Sequence, residues 1–301
     1  LDEHRPDVID NFFQSNALFV RLYERDKVLL DGGEQVRVNF IYDKLPGGSY
    51  SGLGPFAIVE KQNETAMRFD WAQNYSSFTL PGIDIFKNFG PHKIHDLVGS
   101  KATSARMTLA DNVAIQLFGD GSVSTDIVGL RLALAATGTY GGIVRGSDPV
   151  GTAIVGNVDA TGGVITVPRI NRMMGIASRG GAEKPDLLFT TQLLWDAIWS
   201  HVQPQQQYPT GPGFDDLARV GFTSINISGA ALIADSHVPA GYLFGLNTKF
   251  IEFYIGEGYD FFLRGPFPLH GQDGFTAQVI LYAQLAVQAP NLCFMMSGLT
   301  E

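Results

Sequence analysis

The sequence predicts an α+β fold, and three observations carry that reading. From Pro91 to Phe118 apolar residues recur at three- and four-residue steps. Ile94, Leu97, Val98, Ala102, Ala105, Leu109, Val113 and Leu117 therefore form one stripe along a single long helix. Near the other end, Phe275–Gln288 alternates strictly, as a strand does. Ala277, Val279, Leu281, Ala283, Leu285 and Val287 share one face, and Gln278, Gln284 and Gln288 lie on the other. Elsewhere strand and helix patterns do not alternate regularly, which disfavours a doubly wound parallel sheet.

Residues 1–34 read as an extended arm: a charged opening with Pro6, then Phe12, Phe13, Leu18, Phe19 and Leu22, a polar break at Tyr23–Lys27, and a turn at Asp31-Gly32-Gly33. Aromatics on such a segment need cover from the chain's own body or from a neighbour. Residues 35–85 alternate as strands. Val36, Val38, Phe40 and Tyr42 point one way, and Met67, Phe69 and Trp71 do so on the return, with a further run at Phe78–Leu80. Pro46-Gly47-Gly48 and Gly52-Leu53-Gly54-Pro55 break the pattern, so the stretch predicts a long two-stranded ribbon with a loose tip. An isolated ribbon is marginal in water, so it must lie on a neighbouring subunit or on its own domain.

In the 91–118 helix, Pro91 suits the first turn, where its missing N–H is no loss, and Gly119 suits the left-handed position that closes a helix. At about 1.5 Å per residue the rod is roughly 40 Å long, a spine against which other parts can lie. After it come a short element at Gly129–Ala136, the run Tyr140–Arg145 (YGGIVR), a helix from Pro168 to Ser178 and a buried strand at Asp186–Phe189. A helix at Gln192–Val202 follows, capped by Thr190 or Thr191, with a polar Pro/Gly loop over 203–213. Strands are expected at Ser224–Ile227, Ala231–Ile233, Tyr242–Leu246 and Phe250–Ile255.

Composition narrows the function classes. The chain has 301 residues, 45% of them hydrophobic and only 17% charged, which suits a large interior or much surface covered by partners. The formal net charge of −9 argues against a protein that grips nucleic acid by phosphate neutralisation, though DNA can still lie beside one face. The single cysteine, Cys293, excludes an intrachain disulfide framework and suits manufacture inside a cell. The opening LDEHRPDVID is charged and does not read as a secretory signal.

The sequence carries no GxSxG, GxxxxGK[ST], HExxH, CxxC or post-strand GxGxxG signature, so no catalytic, cofactor or metal site is expected. His92 and His95 lack a third ligand, and Asp120–Asp126 lacks the closing Glu of a calcium loop. Asp235-Ser236-His237 is a triad in letters only, because neighbours on an extended chain face opposite ways. The Asn-x-Ser/Thr matches at Asn63, Asn74 and Asn226 are read as chance.

The order of these pieces resembles a known family. An arm, a ribbon entered by DGG and left by FDW, a spine helix, Gly129-Leu130 and Tyr140–Arg145 come in sequence. PDLLFTT (Pro185–Thr191), Gly221-Phe222, ALIADSHVPAGYLFGLNTK (Ala231–Lys249) and a last strand with AQLAVQAPN follow. The chain thus resembles tailed-bacteriophage major capsid proteins of the Hong Kong 97 fold over nearly its whole length. The resemblance implies an N-terminal arm at 1–34, a reaching E-loop at 35–86, a peripheral domain at 87–128 with 245–301, and an axial domain at 129–244. It implies no enzyme activity and no cofactor. It further implies pentamers and hexamers in an icosahedral shell around double-stranded DNA, with portal, scaffolding and decoration proteins as further partners and the virion as destination. Subunit contacts are expected at Phe40, Tyr42, Phe69, Trp71, Tyr140, Gly141, Gly142 and Arg145. Some members weld subunits through a Lys–Asn bond; Lys44 and Lys61 lie in the ribbon, but no motif marks either for that role. The competing readings are an encapsulin-like compartment, an α+β enzyme with an unrecognised site, and a receptor-binding virion component.

Overall fold

The structure, a computed structural model, describes residues 16–54, 56, 58–87, 97–146, 148–179, 183–202 and 224–301. Helix α1 (Ala17–Arg25) and strand β1 (Lys27–Leu30) lead into the ribbon strands β2 (Val36–Ile41) and β3 (Glu64–Phe69). Strand β4 (Ala72–Pro81), helix α2 (Gly82–Lys87) and the spine helix α3 (Leu97–Leu117) follow. The middle of the chain holds α4 (Leu130–Ala133), a hairpin of β5 (Thr139–Tyr140) and β6 (Ile143–Val144), α5 (Pro149–Ala153), β7 (Asn157–Asp159) and β8 (Gly163–Val164). Next come α6 (Val167–Ile176), β9 (Leu187–Thr190), α7 (Gln192–Val202), β10 (Ser224–Ile227), β11 (Ala230–Ala234) and β12 (Leu243–Leu246). The chain closes with β13 (Ile251–Gly256), β14 (Phe262–Pro268), β15 (Gly274–Val287), β16 (Phe294–Met296) and β17 (Leu299–Thr300).

Strand β15 organises a five-stranded sheet among the described residues. Along one edge it pairs antiparallel with β14 and then β13; along the other it pairs with all ten residues of β4. Strand β1 adds to β13 in parallel, so Lys27 lies opposite Phe253. The period read from 275–288 is met along its first part: Ala277, Val279, Leu281 and Ala283 are buried with less buried neighbours between them, while from Ala283 to Val287 both faces are covered and Gln284 and Ala286 are buried too. The spine helix lies against β4 and β15 and buries Ala102, Ala105, Leu109, Val113, Ala114 and Leu117. Its alanines leave room for close approach to the sheet, and its predicted start at 91–96, with His92 and His95, falls outside the described residues.

One polar residue on β15 is buried with its partners. Gln284, 3% exposed, donates from Nε2 to the Asp70 carbonyl at 2.7 Å. Its Oε1 accepts from the Val128 N–H at 2.9 Å and the Leu285 N–H at 3.0 Å. The side chain thereby ties the end of the ribbon and the loop after the spine to the central strand. Replacing it with leucine strands three main-chain groups at once, so Gln284→Leu is expected to lower stability by about 2–4 kcal/mol, read as the shift in a urea unfolding midpoint.

A second, mixed sheet runs β10-β11-β9-β12-β16-β7. All four residues of β9 are buried, as a doubly covered strand requires. Leu188 faces a core made with Ile170, Met174, Leu194 and Ile198 of α6 and α7, while Leu187 and Phe189 face the main core, where Phe118 and Phe244 meet at 5.5 Å. Thr191 supplies the cap of α7, its Oγ1 3.5 Å from the Leu194 N–H. The loop expected over 203–213 is outside the described residues.

Two sequence expectations change here. The described part of the 1–34 segment is not an extended arm beyond residue 16. Ala17, Leu18, Phe19 and Leu22 of α1 are buried, the Phe19 ring sits edge-on to Phe253 and Phe261 at 6.2 Å each, and β1 joins the five-stranded sheet. A nine-residue amphipathic helix packed on its own body explains the apolar run that the sequence left exposed. The run Phe78–Leu80 does not belong to the ribbon either. It is the end of β4, whose outward Gln73, Tyr75, Ser77 and Thr79 hide the strand pattern from a hydrophobicity reading.

Candidate subunit interface

The ribbon divides into a supported base and an unsupported tip. At the base, β2 and β3 pair antiparallel from Val36↔Phe69 to Ile41↔Glu64 and bury Val36, Val38, Met67 and Phe69 in the main core. Trp71 is half-buried and donates from Nε1 to the Gly33 carbonyl at 3.0 Å. The Tyr140–Arg145 run folds as a hairpin with a two-residue turn, Gly141 and Gly142 having φ of +56° and +79°. Both values lie in the left-handed region that a two-residue type I′ turn requires, which is why glycine stands at both positions. The turn is wedged under the ribbon: the Gly141 carbonyl accepts from the Arg68 N–H at 3.0 Å, and the Phe69 and Tyr140 rings meet at 5.0 Å.

Arg145 secures this junction from behind. Its guanidinium donates to the carbonyls of Ala133, Thr137 and Ile154 at 2.6, 3.3 and 3.1 Å and lies 4.9 Å from the centre of the Tyr140 ring. Burial pulls the Arg145 pKa down, and Tyr140 opposes that shift. The Tyr140 hydroxyl donates to the Val287 carbonyl at 3.2 Å and accepts the Val287 N–H at 2.8 Å, joining the hairpin to the end of β15; burial pushes its own pKa up.

Of the eight residues expected at subunit contacts, the structure therefore brings most together inside one subunit. Phe69, Tyr140 and Arg145 are buried, Gly141 is packed against Met67 and Phe69, and Phe40 and Trp71 are partly buried against the same core. Phe69, Tyr140 and Arg145 are taken up by the chain's own packing, while Phe40 and Trp71 keep part of their surface. Tyr42 begins the tip, where its hydroxyl donates to the Gln62 carbonyl at 2.6 Å, and Gly142 has no neighbour crowding it.

Beyond Tyr42 the ribbon turns outward. Leu45, Tyr50, Leu53, Phe56, Ile58 and Val59 are all more than 60% exposed, with Leu53 fully so. The tip's contacts are mostly its own. Tyr50 and Phe56 rings lie 4.8 Å apart, and Lys61 pairs with Asp43 at 2.8 Å, which holds the Asp43 carboxyl below the usual range. A further set of exposed aromatics, not anticipated from the sequence, lies at the β14 end of the large sheet, where Tyr259, Phe262 and Phe267 share one face and are each over 40% exposed. The run Tyr259–Phe267 (YDFFLRGPF) carried the signal in its aromatic density, but Gly265-Pro266 concealed the strand. Clusters of this kind on one subunit mark surfaces meant for a partner.

The chemistry of the interior offers no reacting group at the places the sequence raised. Asp235, Ser236 and His237 are not on extended chain: they form a turn, and their side chains converge. Both ring nitrogens of His237 already face carboxylate oxygens, Asp235 at 3.2 Å and Asp111 at 2.8 Å, so neither is a free base for Ser236. Burial pushes the Cys293 thiol up to about 12, leaving no thiolate at neutral pH. Asn74 is buried, and the Asp120 carboxylate is taken by the Ser122 N–H at 3.0 Å and by Arg131 at 3.5 Å. Among the described residues no group of three or more His, Cys, Asp or Glu side chains is placed to hold a metal, and no helix is long and apolar enough to cross a membrane.

No sequence-family profile and no curated protein sequence matches the chain. Solved structures do. The capsid subunit of cyanophage A-1(L) superposes with a TM-score of 0.79 at 15% identity, covering 100% of this chain and 97% of that one. The capsid of a native GTA particle gives a TM-score of 0.66 at 12% identity, covering 100% and 96%. The SrpI encapsulin of Synechococcus elongatus PCC 7942 gives 0.63 at 12%, covering 97% and 92%. From end to end, the chain has the Hong Kong 97 type of fold that these phage capsid and encapsulin subunits share.

Proposed function

We propose that this chain is the major capsid protein of a tailed phage, a structural tile whose copies assemble as pentamers and hexamers into an icosahedral shell around double-stranded DNA. The observation that carries this is the ribbon tip: a row of bare apolar side chains, held out by a firmly packed base, on a chain whose whole length follows a shell-forming fold. A segment so placed is completed by another copy, in head-to-tail contacts that close around an axis. On this reading the reaching part of the E-loop expected over 35–86 is the ribbon of β2, β3 and the tip between them, 87–128 with 245–301 is the peripheral domain, which β4 joins through β15, and 129–244 is the axial domain. The formal charge of −9 suits a wall that lies beside DNA without gripping it. Portal, scaffolding and decoration proteins are the further partners, with synthesis in the host cytoplasm and the virion as destination.

The likeness to an encapsulin supports a second reading, a protein compartment of the same architecture. Negative-stain microscopy of the expressed protein is the test: closed particles tens of nanometres wide are expected, and a discrete monomer that turns over a substrate ends both readings. The contents of particles from the native source then decide between them, double-stranded DNA supporting the phage shell and an enzyme cargo supporting the compartment.

A further inference from the structure

His237 stands where three segments of the chain meet. Its Nε2 lies 2.8 Å from Asp111 Oδ1 on the spine helix α3, and its Nδ1 lies 3.2 Å from Asp235 Oδ1 in its own turn. Asp235 Oδ1 also accepts the His237 N–H at 2.9 Å, while its Oδ2 accepts the Leu18 N–H in the first turn of α1 at 3.1 Å. The side chains are 6% exposed for His237, 1% for Asp235 and 24% for Asp111. Asp235 and Asp111 are the ionisable groups acting on the ring; Ser236 Oγ, 3.4 Å from Nδ1, is a neutral neighbour, and α1 contributes the Leu18 N–H.

An imidazole offers two N–H groups only when it is protonated. The charged ring serves both carboxylates. The neutral ring serves one and turns a lone pair on the other at hydrogen-bond distance, which is repulsive. Asp235, sealed from water, keeps the remaining N–H, whereas Asp111 has solvent to turn to. We propose that His237 is a proton-operated clasp between the spine helix and the turn that seats α1, closed when the ring carries both protons and open on the Asp111 side when it loses one. Opening loosens the seat of α1, because the turn bearing the acceptor of Leu18 is then held to the spine by packing alone.

The sign follows from the ring's surroundings. Its hydrogen bond with Asp235 raises its pKa above the usual imidazole range, against the opposing effect of burial, and Asp111 adds to the rise. The contribution is therefore fully present below the unfolded value of about 6.5 and is lost as the pH climbs through the raised folded value.

Hydrogen exchange of the full chain, followed by mass spectrometry from about pH 6 to about pH 9 and corrected for intrinsic chemical exchange, tests this. Opening of residues 17–22 is expected to increase about tenfold or more across the ring's titration, the loss of one charge-assisted hydrogen bond. His237→Gln should give a profile without that step. Asp111→Asn, a change at a partly exposed position that leaves buried Asp235 as the ring's one carboxylate partner, should move the midpoint to lower pH, and it decides the matter if His237→Gln does not fold. A flat wild-type profile, the same step in His237→Gln, or an unmoved midpoint in Asp111→Asn each overturns the proposal.

Discussion

Gly141→Val is expected to lower subunit stability by about 2–5 kcal/mol, from two separable costs. The first is backbone: φ at Gly141 is +56°, a region that costs an L-residue roughly 1–2 kcal/mol, and β-branching makes the fit worse. The second is space. A Cβ at Gly141 would lie 2.6 Å from Met67 Cβ, 3.0 Å from Met67 Cγ and 3.1 Å from Phe69 Cζ, so the hairpin must lift off the ribbon base, an overpacking cost of about 1–3 kcal/mol. Gly142→Val is the internal control. Its φ of +79° carries the first cost, but nothing lies within 4 Å of its Cβ position, so the second is missing. Chemical denaturation of the two variants should therefore separate them, with Gly141→Val the less stable. Equal losses would show that the hairpin does not bear on the ribbon.

Loss of assembly without loss of folding is the expected outcome of replacing Leu53, Phe56 and Ile58 together by serine. The three side chains are 105%, 66% and 91% exposed, so the isolated subunit should melt within about 0.5 kcal/mol of the parent. If a neighbouring copy covers them, each contributes about 1.5–3 kcal/mol to the contact, and removing all three weakens every tip contact by roughly 5–9 kcal/mol. Because a closed shell repeats that contact at every subunit, particle yield should collapse. Sedimentation together with thermal melting reads both quantities. Normal particles from the triple variant would show that the tip is not an assembly surface. Trp71→Ala makes a useful contrast. Trp71 holds the Gly33 carbonyl and packs on the core, so its loss should reduce folding stability along with particle yield, not particle yield alone.

Much of the fold is legible in the sequence wherever one face of an element is buried and the other wet. The spine stripe from Ala102 to Leu117, the alternation of 275–287 and the opposed faces of Val36–Ile41 and Met67–Trp71 each carry their period openly. Legibility fails where that contrast is blurred. Strand β4 puts Gln73, Asn74, Ser76 and Ser77 in a paired strand, β14 is interrupted by Gly265-Pro266, and α1 is too short for its periodicity to outweigh the charged residues after it. The residues expected at subunit contacts are a different case. Burial within a chain and burial between chains draw on the same apolar chemistry, so Phe69 and Tyr140 look alike in either role until their neighbours are known. The pattern marks a ribbon in 35–85, but the division between its packed base at Val36–Ile41 and Glu64–Phe69 and its bare tip is carried by neighbours far away in the chain.

The register of the large sheet sets an order of events during synthesis. Lys27 is paired with Phe253 and Ala72 with Ala283, so strands made early wait for partners made some two hundred residues later. Until the ribosome has delivered β15, β4 has no ladder to join and the spine helix lacks half the floor it rests on. The nascent chain must therefore hold open edges for most of its translation, and a product that stops short of Gly274 lacks the strand that closes the sheet.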